Sequence, residues 1–207
     1  MHLAMFGATG ATGQQVVQQA LEQGHSVTAL ARKPERLAIH HSSLRIIQGD
    51  VLDPIAVEKT VATADAVLSC LGRKPFQDKD AVWKGTRNII EAMNKLRVHR
   101  LIVESAYGAG SSRGLASISM FAVTNTLLKW AYREKEIAET EIAASELDWV
   151  IVRPVMLRNG PRTGKYRAGE AFRLSSLDWI NRADVADFML RQLTSDEWLR
   201  KTPAISM

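Results

Sequence analysis

The sequence contains a single cysteine, Cys70, so no disulfide can form within the chain. Its five histidines all lie at or before His99. They form no His-Glu-x-x-His pair, and one thiol cannot build a cysteine-rich zinc site. A Ser-His-Asp triad built with a late histidine is excluded on the same ground. No apolar run approaches the ~20 residues of a membrane-crossing helix. A strand-like run begins at His2, which is the wrong pattern for a secretory leader, so a cytoplasmic protein without membrane association is expected. Lys and Arg number 27 against 22 Asp and Glu, but the basic residues are dispersed and interleaved with acids. That arrangement argues against nucleic acid and suits a cleft that receives a multiply charged anion. With 46% hydrophobic and 24% charged residues over 207 positions, disorder and fibrous classes are excluded and one folded domain is expected.

Short apolar runs alternate with helical patterns along the chain, the pattern of an α/β fold with a parallel sheet. Strands are predicted at His2–Phe6, Ser26–Ala31, Leu44–Gln48, Ala66–Leu71, Arg100–Glu104 and Trp149–Val152. Most are nearly continuous apolar runs, as strands covered on both faces should be. Val16, Val17, Ala20 and Leu21 define a first helix that Gly24 stops, and Asp53-Pro54 opens a second. A third runs through Val82, Ile89, Met93 and Leu96, a longer one from about Phe121 to Ser145, and a last one through Asp184–Leu190, with a short strand at Ala204–Ser206. The expected architecture is a single Rossmann-like, doubly wound domain over residues 1–207, with strand order 3-2-1-4-5-6. Substrate-side loops are expected at about 106–120 and 155–175.

Between the first strand and first helix stands Gly7-Ala8-Thr9-Gly10-Ala11-Thr12-Gly13. Three glycines at this spacing allow a tight turn, backbone approach to a pyrophosphate and close helix–strand packing. The helix N-terminus adds partial positive charge, so Gly7, Thr9, Gly10, Ala11, Thr12 and Gly13 are candidate dinucleotide contacts. An NAD site places an acid about 20 residues further on, to hold the ribose 2′-hydroxyl. Here the second strand ends in Arg32-Lys33, which favours the 2′-phosphate of NADP(H). Asp50 and Val51 follow the third strand at the expected adenine end, and Leu71, Gly72 and Lys74 follow the fourth near the middle of the cofactor.

The chain resembles the atypical short-chain dehydrogenases/reductases, specifically the NmrA-like NAD(P)H-binding group and, within it, the biliverdin-IXβ/flavin reductases. The resemblance rests on Gly7–Gly13, Arg32 and Arg36, Gly49-Asp50-Val51-Leu52, Leu71-Gly72, the segment from Gly85 to Met93, Ser105-Ala106, Arg153-Pro154, Thr163–Tyr166 and Ile180–Ala186. It implies that Ser105 lies beside the nicotinamide and that Lys135 holds the nicotinamide ribose. Pro154 and Met156 would complete the cofactor contacts. Tyr132 stands three rather than four residues before Lys135, a departure from the usual Tyr–Lys spacing. Met156 stands where the reductases carry a histidine.

Tyr107, Leu115, Ile118, Met120, Phe121, Met156, Leu157, Tyr166 and Phe172 can wall a pocket for a flat acceptor or belong to the core. Gly108, Gly110 and Gly114, with Ser111 and Ser112, suggest a pliable loop. The expected function is NADPH-dependent hydride transfer to a small planar acceptor (a flavin, quinone or linear tetrapyrrole) by a monomer or weak homodimer. The alternative is a non-catalytic NADP(H)-sensing regulator of the NmrA type.

Overall fold

A computed structural model describes residues 1–72, 80–115, 129–170, 174 and 177–207. Six strands follow in the expected places: β1 (His2–Phe6), β2 (Ser26–Ala31), β3 (Leu44–Gln48), β4 (Ala66–Ser69), β5 (Arg100–Glu104) and β6 (Asp148–Pro154). Four short ones follow: β7 (Met156–Arg158), β8 (Arg167–Gly169), β9 (Trp179–Asn181) and β10 (Ala204–Ser206). The described helices are α1 (Ala11–Glu22), α2 (Pro54–Val61), α3 (Ala81–Leu96), α4 (Lys129–Ala144) and α5 (Arg182–Arg191). The expected beginning of α4, near Phe121, lies outside the described residues.

Alternation along β1 explains why a short apolar strand can sit at the centre of the domain. Leu3 and Met5 pack with Val16, Val17, Ala20 and Leu21 of α1 and with Val185, Met189 and Leu190 of α5. Ala4 and Phe6 point the other way, into a second core with Val57 of α2, Ile89 and Met93 of α3 and Ile142 of α4. Both faces are therefore buried, and a strand with a polar face would leave polar groups without water. Local signals fix the helix ends. The Asp53 carboxylate accepts from the Ile55 N–H at 2.9 Å, with Pro54 in the first turn of α2. After α1, the His25 N–H returns to the Ala20 carbonyl as the chain turns at Gly24.

The sheet runs β3-β2-β1-β4-β5-β6-β10-β8, so the expected 3-2-1-4-5-6 order is present and extended. All neighbours from β3 to β10 are parallel, and β8 closes the edge antiparallel to β10. Strand order reverses between β1 and β4, which opens a crevice at their carboxyl ends. Two sequence boundaries shift: β4 ends at Ser69 rather than Leu71, and β6 extends to Asp148 and Pro154. A separate parallel ribbon of β7 and β9 follows β6, pairing Met156 with Trp179 and Arg158 with Asn181.

Candidate functional site

The glycine loop occupies the crevice at the β1–β4 switch. Gly7 has φ +78°, and a Cβ there would strike the Cys70 carbonyl. A Cβ on Gly13 would strike the Gly7 carbonyl, so the first turn of α1 can close on β1 only with glycine at that position. Gly10 is the N-cap residue, offering no side chain to the first-turn N–H groups, and no acid stands in that turn. The helix end is thus open to an anion, the arrangement a pyrophosphate needs. Ala11 is exposed, Thr9 half-buried and Thr12 buried. Gln14 Nε2 donates to the Thr9 carbonyl at 3.4 Å.

At the adenine end, Arg32 follows β2 and lies 3.7 Å from the Asp50 carboxylate, both side chains substantially exposed. Asp50 also accepts from the Leu52 N–H at 3.0 Å, fixing the turn after β3. Lys33 precedes a single 3₁₀ turn, Pro34–Arg36, which leaves Lys33 and Arg36 solvent-facing around Arg32. The Val51 carbonyl accepts from Asn88 Nδ2 at 2.9 Å, while its side chain packs over Gly85. The Gly85–Asn88 motif therefore serves to hold the adenine-side turn. Leu71 and Gly72 follow β4 at the middle of the crevice, and Lys74 lies outside the described residues.

The third group gathers at the carboxyl end of β5. Ser105 is 5% exposed, and its hydroxyl has no hydrogen-bond partner among the described residues. Its backbone N–H donates to the Val152 carbonyl at 2.7 Å, which fixes the residue on the sheet edge. From α4, Lys135 Nζ donates to the Glu104 carbonyl at 3.2 Å, and the Tyr132 hydroxyl donates to the Tyr107 carbonyl at 3.2 Å. One helical turn separates the two, so the spacing of three still brings both to this edge. Burial lowers the Lys135 ammonium from its ordinary value, against the raising influence of Glu104 and Glu139. Burial raises the Tyr132 phenol, keeping it protonated. Ser69, Thr86, Glu104, Ser105 and Lys135 border a small space of ≈ 10 Å³.

Glu104 was not singled out by its sequence context, yet it is 8% exposed and accepts from the Thr12 hydroxyl at 2.9 Å. This bond spans from the phosphate-loop helix to β5, passing Cys70 at the end of β4. Burial, with the Glu104 carboxylate beside it, pushes the Cys70 thiol well up, so Cys70 is a neutral packing group. The signal available in the sequence was an acid ending an otherwise apolar strand.

On the substrate side several expected wall residues prove structural. Tyr107 is 1% exposed, and its hydroxyl accepts from the Leu174 N–H. Tyr166 donates to Asp187 at 2.7 Å and packs edge-on against Phe188. Leu157 packs against the core. Ile118, Met120, Phe121 and Phe172 lie outside the described residues. In the described part of the loop after β5, Ser111 and Ser112 both make hydrogen bonds. Ser112 Oγ accepts from Gly108 N and donates to the Ala109 carbonyl, and Ser111 Oγ accepts from Arg153. Arg153 itself forms a buried two-pronged pair with Glu139. Pro154 is buried at the end of β6, its carbonyl bound by the Tyr107 N–H. Met156 begins β7 and is 43% exposed.

Fold and crevice together are those of a Rossmann-like dinucleotide-binding domain. Residues 7–196 match the family model described as NAD(P)H-binding, and the chain belongs to that family. It is 32% identical over 168 residues to an uncharacterized chloroplastic protein of Arabidopsis thaliana, an alignment covering 76% of this chain and 60% of that one. The photosystem II assembly factor Ycf39 of Synechocystis is 22% identical, with 98% of this chain and 61% of the factor aligned. The chain thus spans about three fifths of the length of these two relatives. Among solved structures, ChuY of Escherichia coli O157:H7, described as an anaerobilin reductase, superposes with TM-score 0.84 at 24% identity, covering 99% of this chain and 96% of ChuY. A Veillonella parvula short-chain dehydrogenase/reductase in complex with NADP gives TM-score 0.84 at 18% identity, covering 100% and 94%. These two likenesses are of fold.

Proposed function

We propose that the protein is an NADPH-dependent reductase acting on a small planar acceptor, in a cytoplasmic setting. The observation that carries this reading is the convergence of Ser105, Tyr132 and Lys135 on the carboxyl edge of β5, two strands from the glycine loop. When bound, the reduced dinucleotide supplies a hydride, and the accompanying proton can come from water. Arg32, flanked by Lys33 and Arg36, attracts a 2′-phosphate. The N-terminus of α1 receives the diphosphate between Gly7 and Gly13. Lys135 donates to the ribose hydroxyls, and the Ser105 hydroxyl orients the carboxamide or the acceptor by one hydrogen bond. Tyr132 is held by Tyr107 and contributes position to this edge.

The β7–β9 ribbon supports a flat acceptor bearing negative charge. Met156 and Trp179 are paired in register, and Arg158 lies two residues along on the same face with its guanidinium 4.7 Å from the Trp179 ring centroid. An exposed methionine, an indole and a stacked cation beside Pro154 suit the aromatic face and acidic substituents of a flavin nucleotide or linear tetrapyrrole. Two related proteins carry reductase names: ChuY, and a (4-alkanoyl-5-oxo-2,5-dihydrofuran-3-yl)methyl phosphate reductase of Streptomyces griseus, 27% identical over 153 residues. The rival reading is an NADP(H) sensor that presents a cofactor-dependent surface to another protein. The assembly-factor name of Ycf39 favours it. Steady-state NADPH oxidation with flavins, quinones and biliverdin separates the two. Turnover of any planar acceptor supports the reductase, whereas tight NADPH binding without turnover supports the sensor.

A further inference from the structure

A carboxylate buried in a protein interior is costly unless it is both hydrogen-bonded and close to a cation. Glu104 is hydrogen-bonded, through its side chain and its backbone, to groups from two different helices. Its Oε1 accepts from Thr12, in the first turn of α1, at 2.9 Å. Its backbone carbonyl accepts from Lys135 Nζ of α4, and its charge acts on that ammonium. An ordinary Rossmann crevice has no need of a buried acid here, because the strand could end in an apolar residue and pack as the rest of β5 does.

We propose that Glu104 is a positioning residue for the bound dinucleotide, its buried carboxylate holding the phosphate-binding turn of α1 at Thr12 and its backbone carbonyl holding the Lys135 ammonium. The inference rests on the reading that Lys135 faces the cofactor ribose. Two elements present further charged or titratable groups to this pair. Cys70, after β4, is a neutral thiol. Glu139, one turn along α4, also acts on Lys135 but is committed to Arg153 of β6 at 2.6 and 3.1 Å. Tyr132, on the same helix, is neutral and engaged by Tyr107. Of the two carboxylates that act on Lys135, Glu139 is thus paired with another cation, and Glu104 is bonded through its carboxylate to the neutral Thr12 hydroxyl. It holds Lys135 as a three-donor cation, with one N–H spent on the Glu104 carbonyl and the others available to ribose hydroxyls. It also anchors Thr12, so the diphosphate end and the nicotinamide end of the crevice keep a fixed separation.

NADPH affinity, followed by fluorescence titration from about pH 6 to about pH 9, tests this without any acceptor. Glu104→Gln keeps the shape and an acceptor for Thr12 but removes the charge. The pH at which NADPH binding weakens should fall by about one unit or more. The loss should thus reach about tenfold at the alkaline end and be small at the acid end. In a Lys135→Met background, Glu104→Gln should have less than about a twofold effect, because the partner it serves is gone. Thr12→Val should weaken NADPH binding without moving the alkaline inflection. A Glu104→Gln loss that is equal at every pH, or that persists beside Lys135→Met, would show a merely structural acid and overturn the proposal. If Lys135→Met alone leaves NADPH affinity intact, the ribose reading of Lys135 falls and this inference falls with it. An effect of Lys135→Met without a pH shift in Glu104→Gln overturns the Glu104 role alone.

Discussion

Arg153 of β6 and Glu139 of α4 form a buried ion pair, with Nη2–Oε2 at 2.6 Å and Nε–Oε1 at 3.1 Å and both side chains under a tenth exposed. The remaining Nη1 reaches Ser111 at 2.8 Å and Thr202 at 3.1 Å. One guanidinium therefore joins β6, α4, the loop after β5 and the approach to β10, directly behind the proposed nicotinamide end. Removing one partner of such a pair leaves an uncompensated charge. Glu139→Ala should destabilise the protein by about 3–5 kcal/mol, measured by urea unfolding. A loss below about 1 kcal/mol would show that water reaches the pair and that it is not a structural bolt.

Gly13 tests the close approach of α1 to β1. Gly13→Ala places a methyl on the Gly7 carbonyl, an overpacking that should cost about 1–3 kcal/mol and weaken NADPH binding by displacing the helix end. Gly72→Ala is the control, since a Cβ there meets open space. Thermal melting of the two variants should differ clearly in Gly13→Ala and hardly at all in Gly72→Ala. Equal behaviour would contradict the packing argument.

On the proposed reading, cofactor choice depends on Arg32. A charge-assisted contact to the 2′-phosphate contributes about 1.5–3 kcal/mol, so Arg32→Ala should lower the NADPH-over-NADH preference by roughly tenfold to a hundredfold. NADH affinity should hardly change, because its ribose lacks the phosphate. Titration of both dinucleotides checks this, and unchanged selectivity would move the phosphate site to another cation.

The core order and the glycine loop were legible in the sequence for physical reasons. Strands buried on both faces leave apolar runs, and a turn that must let a carbonyl pass within Cβ range leaves glycine. The ribbon of β7 and β9 was not legible, because strands of three residues are too short to show a period. Asp184 was hidden for a different reason. In the first turn of α5 it has the pattern of an ordinary solvated end charge. In the fold it is fully buried, accepting from the Thr163 and Gly164 N–H groups at 2.7 and 2.8 Å and anchoring the segment before β8. Tyr107 and Tyr166 have the composition of a ligand wall, and their hydroxyl partners show them engaged in structural hydrogen bonds, Tyr107 in the core and Tyr166 packed against it.

Lys135 carries a stability signature as well as a binding one. Burial lowers its folded-state value below 10.5, so between those two values the unfolded chain binds more protons than the folded one. This group's contribution therefore rises with pH across that window, and its burial penalty is fully present below it. Lys135→Met removes the penalty. Melting curves should show the stability of the variant relative to wild type falling as the solution becomes alkaline. A relative stability that stays level or rises with pH would contradict a lowered Lys135 value.

In the proposed reductase, Ser105 orients by one hydrogen bond rather than donating an obligatory proton. Losing one oriented hydrogen bond costs about 0.5–1.5 kcal/mol, so Ser105→Ala should lower kcat roughly threefold to tenfold. A fall of a thousandfold with cofactor affinity intact would indicate proton-coupled carbonyl chemistry in place of a flavin-like acceptor.

The central claim is hydride transfer from NADPH to a planar acceptor at the β5 edge. Its most direct test is single-turnover oxidation of NADPH deuterated at the transferred position, by wild-type protein with FMN, menadione or biliverdin. The account predicts protein-dependent oxidation that is slower with the deuterated cofactor and slower again in Ser105→Ala. Saturable NADPH binding, with oxidation no faster than in the absence of protein for every acceptor, would contradict it.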